Sequence, residues 1–424
     1  MSFRSVRHPG VVSGAVLALL LSANLPAQTP LRALTLSEAL TRSAKQNPEL
    51  AVLDFEVDAQ EGRVRQAGAH PAPEVGVLVE NAFGSGARSG FDGAETTLSI
   101  GYAIERGARE RRLDVANAGS LVLGADIQVR RLDVAAETAR RYLDVLANQS
   151  QVGQTRNASE LGGQSLQAVR ARVRAAKVPP AEEARAQAQL ARLKLDEEHA
   201  EHELLTARQR LAAMWGSLEP DFDVVNGNLL ALPALESFEK LRTRLQGNPL
   251  LARFVSEKRL RESEVRMAEM RRRPPWHVTV GVRRFEDLGD HAFMLGVTVP
   301  LSSPSTSSGA RAEARANADA VGAKESATRI QLDVELFALY QELRHAYAEV
   351  ETLRTEVLPK MEEAARQSRY AYERGRYSYI EWAGAQRELL DAQRTLHEAA
   401  ADAHRLRIEI ERLTGTALSG NTIP

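Results

Sequence analysis

The chain has no cysteine in 424 residues. Disulfides are excluded, and so is a lipid-modified cysteine, so any membrane attachment must come from the folded protein itself. Aromatic residues are scarce: 3 Trp, 8 Tyr and 10 Phe, or 5% of the chain. Net charge is nearly absent, with 55 basic residues against 56 acidic ones. Nucleic acid is therefore not expected as a partner, because phosphate binding needs a basic surface. Beyond the N-terminus no apolar run is long enough for a transmembrane helix. The chain also lacks a phosphate-binding G-x-x-x-x-G-K-[ST] loop and a G-x-S-x-G nucleophile elbow. No cofactor and no enzymatic activity are expected, and any energy must come from a partner.

The chain does contain a duplication. Asn47-Pro48-Glu49-Leu50 reappears as Asn248-Pro249-Leu250-Leu251, and Ala186-Gln187-Ala188-Gln189-Leu190 as Ala385-Gln386-Arg387-Glu388-Leu389. The segment ending Met214-Trp215-Gly216 answers the one ending Leu413-Thr414-Gly415. The offset is about 200 residues throughout, as expected of two similar folded units. Ahead of them, Arg4 and Arg7 precede the apolar stretch Val11–Leu21 and a run of small residues near Ala27. This reads as a secretory signal peptide over 1–27.

Each unit follows one plan. Short helices come first, broken at Asn47-Pro48 and Asn248-Pro249 and stopped by His70-Pro71 and Pro274-Pro275. The hydrophobic period then falls to two. Val75, Val77 and Val79 alternate with polar or small residues, as do Leu98, Ile100, Tyr102 and Ile104. Trp276, Val278, Val280 and Val282 alternate likewise, followed by Phe293, Leu295, Val297 and Val299. A long proline-free run follows the first strand pair. As one helix of about 70 residues it spans roughly 105 Å.

The expected boundaries are a first repeat (28–216), an equatorial linker (217–235), a second repeat (236–415) and a tail (416–424). The first repeat holds strands at about 73–82 and 95–104, a long helix 106–176, a tip 177–180 and a return helix 181–215. Gly153 and Gly162-Gly163 are its candidate bend points. The second holds strands at about 276–285 and 292–301, an exit loop, a long helix 308–374, a tip 375–379 and a return helix 380–413.

Four strands of about ten residues match tilted membrane strands, but four cannot close a barrel, and open edges are not tolerated in lipid. Three copies pooling strands reach twelve. Helices of this length cannot bury their apolar stripe within one compact domain and must pack as coiled coils. The expected fold is mainly α with a transmembrane β-barrel: a tandem-repeat protomer that trimerises into a twelve-stranded barrel on a helical barrel. Two ordinary hairpins on a soluble periplasmic coiled-coil protein remain the alternative.

Ala175-Ala176-Lys177-Val178-Pro179-Pro180-Ala181-Glu182-Glu183 with Ala186-Gln187, and Tyr372-Glu373-Arg374-Gly375-Arg376-Tyr377-Ser378-Tyr379-Ile380-Glu381 with Ala385-Gln386-Arg387, resemble the helical tips of the outer-membrane factor (TolC-like) family. These proteins are exit ducts of tripartite efflux pumps and type I secretion systems. The helix starts at Arg106-Gly107 and Ser308-Gly309-Ala310-Arg311 resemble the family's heavy-metal efflux branch. The first tip departs from the pattern, with Ala176 where glycine is usual.

The resemblance implies a passive homotrimeric duct in the bacterial outer membrane, with its helices in the periplasm. It implies a periplasmic adaptor (membrane fusion) protein and an inner-membrane pump of the resistance-nodulation-division type as partners. It makes Lys177, Val178, Pro179, Arg374, Gly375, Arg376 and Ser378 docking or gating residues. A type I secretion duct is the alternative within the family. His199 and His202, set among Asp196, Glu197, Glu198, Glu201 and Glu203, have the helical spacing of a metal pair, but such runs also form solvated faces. No metal site is expected there. Six Met and no Cys argue against a copper relay built on soft ligands.

Overall fold

The structure is a computed structural model that describes residues 32–301 and 304–416. Residues 1–31, which hold the expected signal peptide (1–27), residues 302–303, and 417–424 of the expected tail lie outside the described residues.

The chain opens with β1 (Ala33–Leu34), α1 (Leu36–Gln46) and α2 (Pro48–Gly68). Thr35 caps α1 in a capping box with Glu38. A hairpin follows, β2 (Glu74–Glu80) and β3 (Glu95–Ile104), then α3 (Ala108–Arg174) and the returning α4 (Pro180–Ala212). The linker contributes β4 (Val224–Val225), which pairs in parallel with β1. The second half runs α5 (Phe238–Leu245), α6 (Pro249–Glu269), β5 (Trp276–Phe285), β6 (His291–Thr298), α7 (Pro304–Thr352), α8 (Leu358–Glu373) and α9 (Tyr379–Leu413).

α3 is a single helix of 67 residues, about 100 Å long. Its strand-proximal part packs on α2, where Gln60 Nε2 donates to Ala116 O at 2.8 Å. Its distal part packs on α4. Gly162 is a site of close approach to that partner: a Cβ there would meet Leu193 Cδ1 at 2.7 Å.

The second long helix differs from expectation in two ways. It starts at Pro304 rather than 308, and a π-helical turn over Leu353–Val357 divides it. Pro359 explains the turn. Proline lacks an N–H, and its ring crowds the carbonyl four residues earlier, so the ladder slips by one residue. The strands also differ slightly at their ends: β2 is shorter than 73–82, and β6 stops at Thr298.

The short helices meet halfway along each long one, and the junction is built the same way twice. Asn47 caps α2 by accepting from Glu49 N at 2.9 Å, and its Nδ2 donates to Met214 O at 2.9 Å. Asn248 caps α6 by accepting from Leu250 N at 2.6 Å, and its Nδ2 donates to Leu413 O at 2.5 Å. Gly216 (φ +74°) and Gly415 (φ +66°) end the returning helices in the left-handed region. A Cβ on Gly415 would stand 2.8 Å from Pro249 Cδ. The repeated Asn-Pro is therefore a staple as well as a break.

One core cluster sits at this level, around Tyr142, Leu143, Leu211, Trp215, Phe222 and Ile408. The Tyr142 hydroxyl lies 2.9 Å from Leu34 O of β1 and also against Asn226 O, just past β4 in the linker. Burial pushes it up to about 12. A second cluster joins α5, α6, α7 and α9, and a third lies at the far tips.

The four long strands form one antiparallel sheet in the order β2-β3-β5-β6. The register lines up apolar side chains in rows on one face: Val75, Ile100, Val280 and Leu295, then Val77, Leu98, Val282 and Phe293. This face is open to its surroundings, with Phe293 91% and Val75 72% exposed. The opposite face carries Gly76, Ser99, Gly281 and Met294 in one row and Glu74, Gly101, Thr279 and Gly296 in another. Near the hairpin end Arg283 lies between Glu80 and Glu95, 2.9 Å from each. Among the described residues, no strand pairs with the outer edges of β2 and β6. No helix among the described residues is long and apolar enough to cross a membrane.

Candidate functional site at the helical tips

Both long helices end in the same hydrogen-bonded turn. At the first tip Ala176 N donates to Val173 O (2.9 Å) and Lys177 N to Arg172 O (2.9 Å). At the second, Gly375 N donates to Tyr372 O (2.9 Å) and Arg376 N to Ala371 O (2.9 Å). This is the Schellman pattern, which needs a left-handed residue just past the helix. Gly375 takes it at φ +74° and Ala176 at φ +53°. The missing glycine therefore leaves the geometry intact and adds strain at Ala176.

The predicted residues divide by what they touch. Lys177, Pro179, Arg374, Gly375, Arg376 and Ser378 are exposed, and Val178 is half-buried. Arg374 lies 5.0 Å over the Tyr370 ring. Pro179 is the N-cap residue of α4, whose first turn holds Glu182 and Glu183 where the helix dipole favours negative charge. Ser378 has a local structural role: it caps α9 in a capping box with Glu381. His199 and His202 are exposed on α4, and among the described residues no group of three metal-type ligands comes together.

The chemistry that joins the two tips comes from residues outside that set. Tyr372, Tyr379 and Trp382 form a buried aromatic cluster, with Tyr372 and Trp382 stacked at 4.9 Å and Tyr379 edge-on to Trp382 at 6.1 Å. Arg172, at the end of α3, crosses to this cluster. Its guanidinium carbon lies 4.7 Å over the Tyr372 ring, and it also donates to Tyr372 O. The Tyr372 hydroxyl donates to Glu182 Oε2 of α4 at 3.3 Å. Burial, and next the Glu182 charge, push this hydroxyl up to about 12. Arg170 pairs with Glu183 at 2.8 Å beside it. A signal existed in the sequence: the chain has few aromatics, and five of them (Tyr370, Tyr372, Tyr377, Tyr379 and Trp382) lie within thirteen residues around one turn.

The model of the family "Outer membrane efflux protein" matches residues 39–217 and 244–416, one stretch in each repeat. The chain belongs to that family. It is 30% identical over 332 residues to the cobalt-zinc-cadmium resistance protein CzcC of Cupriavidus metallidurans, covering 78% of each chain. Its fold matches the outer-membrane channel OprN with a TM-score of 0.71 at 18% identity, covering 98% of both chains. It also matches the outer membrane protein VceC of Vibrio cholerae with a TM-score of 0.69 at 16% identity, covering 90% and 96%. Members of this family are efflux proteins of the outer membrane, and the sheet and long helices described above are their shared architecture.

Proposed function

We propose that this outer membrane efflux protein is the passive exit duct of a tripartite pump. Three copies join β6 of one to β2 of the next and close a twelve-stranded barrel in the bacterial outer membrane. The observation that carries this reading is the open apolar sheet face together with its two unpaired edges. In lipid such edges must be satisfied by another strand. The helices continue the same seam. α2, which leads into β2, exposes Val52 and Phe55, and α7, which leaves β6, exposes Ile330, Val334 and Phe337 at helical spacing. The two stripes meet when the edges pair.

The helices form a periplasmic barrel below. Its tips receive a periplasmic adaptor, and Lys177, Val178, Pro179, Arg374, Gly375, Arg376 and Ser378 form the contact surface. An inner-membrane pump of the resistance-nodulation-division type supplies the energy. Opening separates the tips, with Arg172 and Glu182 exchanging their contacts to Tyr372. The name of the 30%-identical relative favours divalent heavy-metal ions as cargo.

The test is the species extracted from outer membranes in mild detergent. A particle of three chain masses that collapses to the monomer only on heating supports the duct. A monomer in the soluble periplasmic fraction refutes it and favours a soluble coiled-coil protein.

A further inference from the structure

We propose that the helix-side rim of the barrel carries a binding site for an anionic phospholipid headgroup, formed by Arg106, Arg271, Arg273 and Trp276. The proposal rests on the barrel reading above.

Ile104 and Trp276 are the last cross-strand pair of β3 and β5 on the helix side. Trp276 shares its face with Val278, Val280 and Val282, so it ends the apolar rows, next to Tyr102 and Val278. It is 38% exposed. An indole at the end of an apolar band belongs at the membrane–water boundary, with its ring among acyl chains and its N–H in the headgroup layer.

Basic residues flank this end of the sheet on both connections. Arg106 leaves β3 with φ +49°, and its guanidinium carbon lies 4.8 Å over the Trp276 ring. Stacking holds this guanidinium at the boundary while its N–H groups stay free to bind. On the other connection, a short helical turn (Met270–Arg272) and Arg273 lead into β5. Arg271 and Arg273 are exposed, and neither forms an ion pair with a described residue.

Three of the four nearby carboxylates face other arginines. Glu105 is taken by Arg112, Asp114 by Arg111 at 2.9 Å, and Glu269 faces Arg315 at 3.7 Å. Glu110 is the acid in the first turn of α3. Arg106, Arg271 and Arg273 thus form no ion pair with a described carboxylate, at the depth where lipid phosphates lie in the barrel reading. A guanidinium fork matches a phosphate through two parallel hydrogen bonds. An added anionic charge on the lipid favours binding to such a cluster by about fivefold per basic residue at low salt. Phosphatidylglycerol should therefore be retained over the net-neutral phosphatidylethanolamine.

The experiment is native mass spectrometry of the purified full-length protein, offered equimolar phosphatidylglycerol and phosphatidylethanolamine. The wild type is expected to retain phosphatidylglycerol by about fivefold or more, with the preference shrinking as ammonium acetate is raised. The variant R106Q/R271Q/R273Q is expected to retain the two lipids equally. Equal retention by the wild type, or an undiminished preference in the variant, overturns the proposal. So does displacement of the lipid by inorganic phosphate at the same concentration, which would indicate a free-anion site. If the triple variant does not assemble, R106Q alone and the wild-type salt series decide. A wild type that forms no heat-modifiable trimer refutes the duct and this site together. A proper trimer indifferent to headgroup refutes this site alone.

Discussion

Replacing Asn248 by alanine removes two bonds at once. Its Oδ1 no longer accepts from Leu250 N at the start of α6, and its Nδ2 no longer donates to Leu413 O at the end of α9. Loss of a cap of this kind costs about 1 kcal/mol. The carbonyl left behind is buried, since Asn248 and Leu413 are 5% and 3% exposed, and an orphaned buried acceptor costs a further ~1–3 kcal/mol. The sum is about 2–4 kcal/mol of local stability, equivalent to roughly 30- to 1,000-fold faster amide exchange in a locally opening segment. Hydrogen–deuterium exchange of peptides spanning 246–254 and 410–416 reads it directly. Asn248→Asp separates the two contributions. It keeps the acceptor at a helix N-terminus that favours negative charge, but cannot donate to Leu413 O. Faster exchange concentrated at 410–416 is expected for this variant. If N248D exchanges like the wild type, the bond to Leu413 O contributes nothing and the stapling argument is wrong. Asn47→Ala should behave alike in its own repeat, because it makes the same two kinds of contact to α2 and Met214.

Other outcomes follow from the same geometry. Ala176→Gly should slow exchange at the first tip, because relief of ~1–2 kcal/mol of left-handed strain exceeds the ~0.4–1 kcal/mol entropic cost of glycine. Gly375→Ala should quicken exchange at the second tip, its Cβ meeting Arg172 Nη2 at 3.3 Å; the opposite pair of responses counts against the turn assignment. Tyr372 should titrate near 12 in ultraviolet absorbance, a step lost in Tyr372→Phe; titration near the ordinary tyrosine value means it is not buried against Glu182. A folded-state value raised above the unfolded one contributes stability that is whole below about 10 and lost as pH climbs toward 12, so tip opening should quicken over that window. Gly281→Val should lower the heat stability of the assembled protein, because a Cβ at 281 would lie 2.7 Å from Leu98 O, a backbone atom that cannot swing aside; an unchanged melting point in semi-native gel shifts would contradict the close approach of β3 and β5.

The sequence alone carried the periodic features. The duplication, the switch from helical to two-residue period and the length of the runs are local patterns, and they sufficed for two repeats, four strands and helices too long for a compact domain. Glycine and proline also suggested turns at the tips, because they constrain backbone torsions wherever they stand, although Ala176 rather than a glycine takes the left-handed position at the first. The remainder depended on which segments meet. Asn47 and Asn248 read as breaks, since a local pattern does not reveal that each amide reaches a carbonyl 167 or 165 residues away. Pro359 stands inside a strong helical pattern, and the helix absorbs it as a π turn instead of ending. At the tips the exposed turn residues were legible. The contacts that join the hairpins were not, because Arg172 approaches Tyr372 only when distant helices pack. The sheet register likewise belongs to the tertiary structure: alternation shows that each strand has an apolar face, and only pairing shows that the four faces form one surface with two open edges.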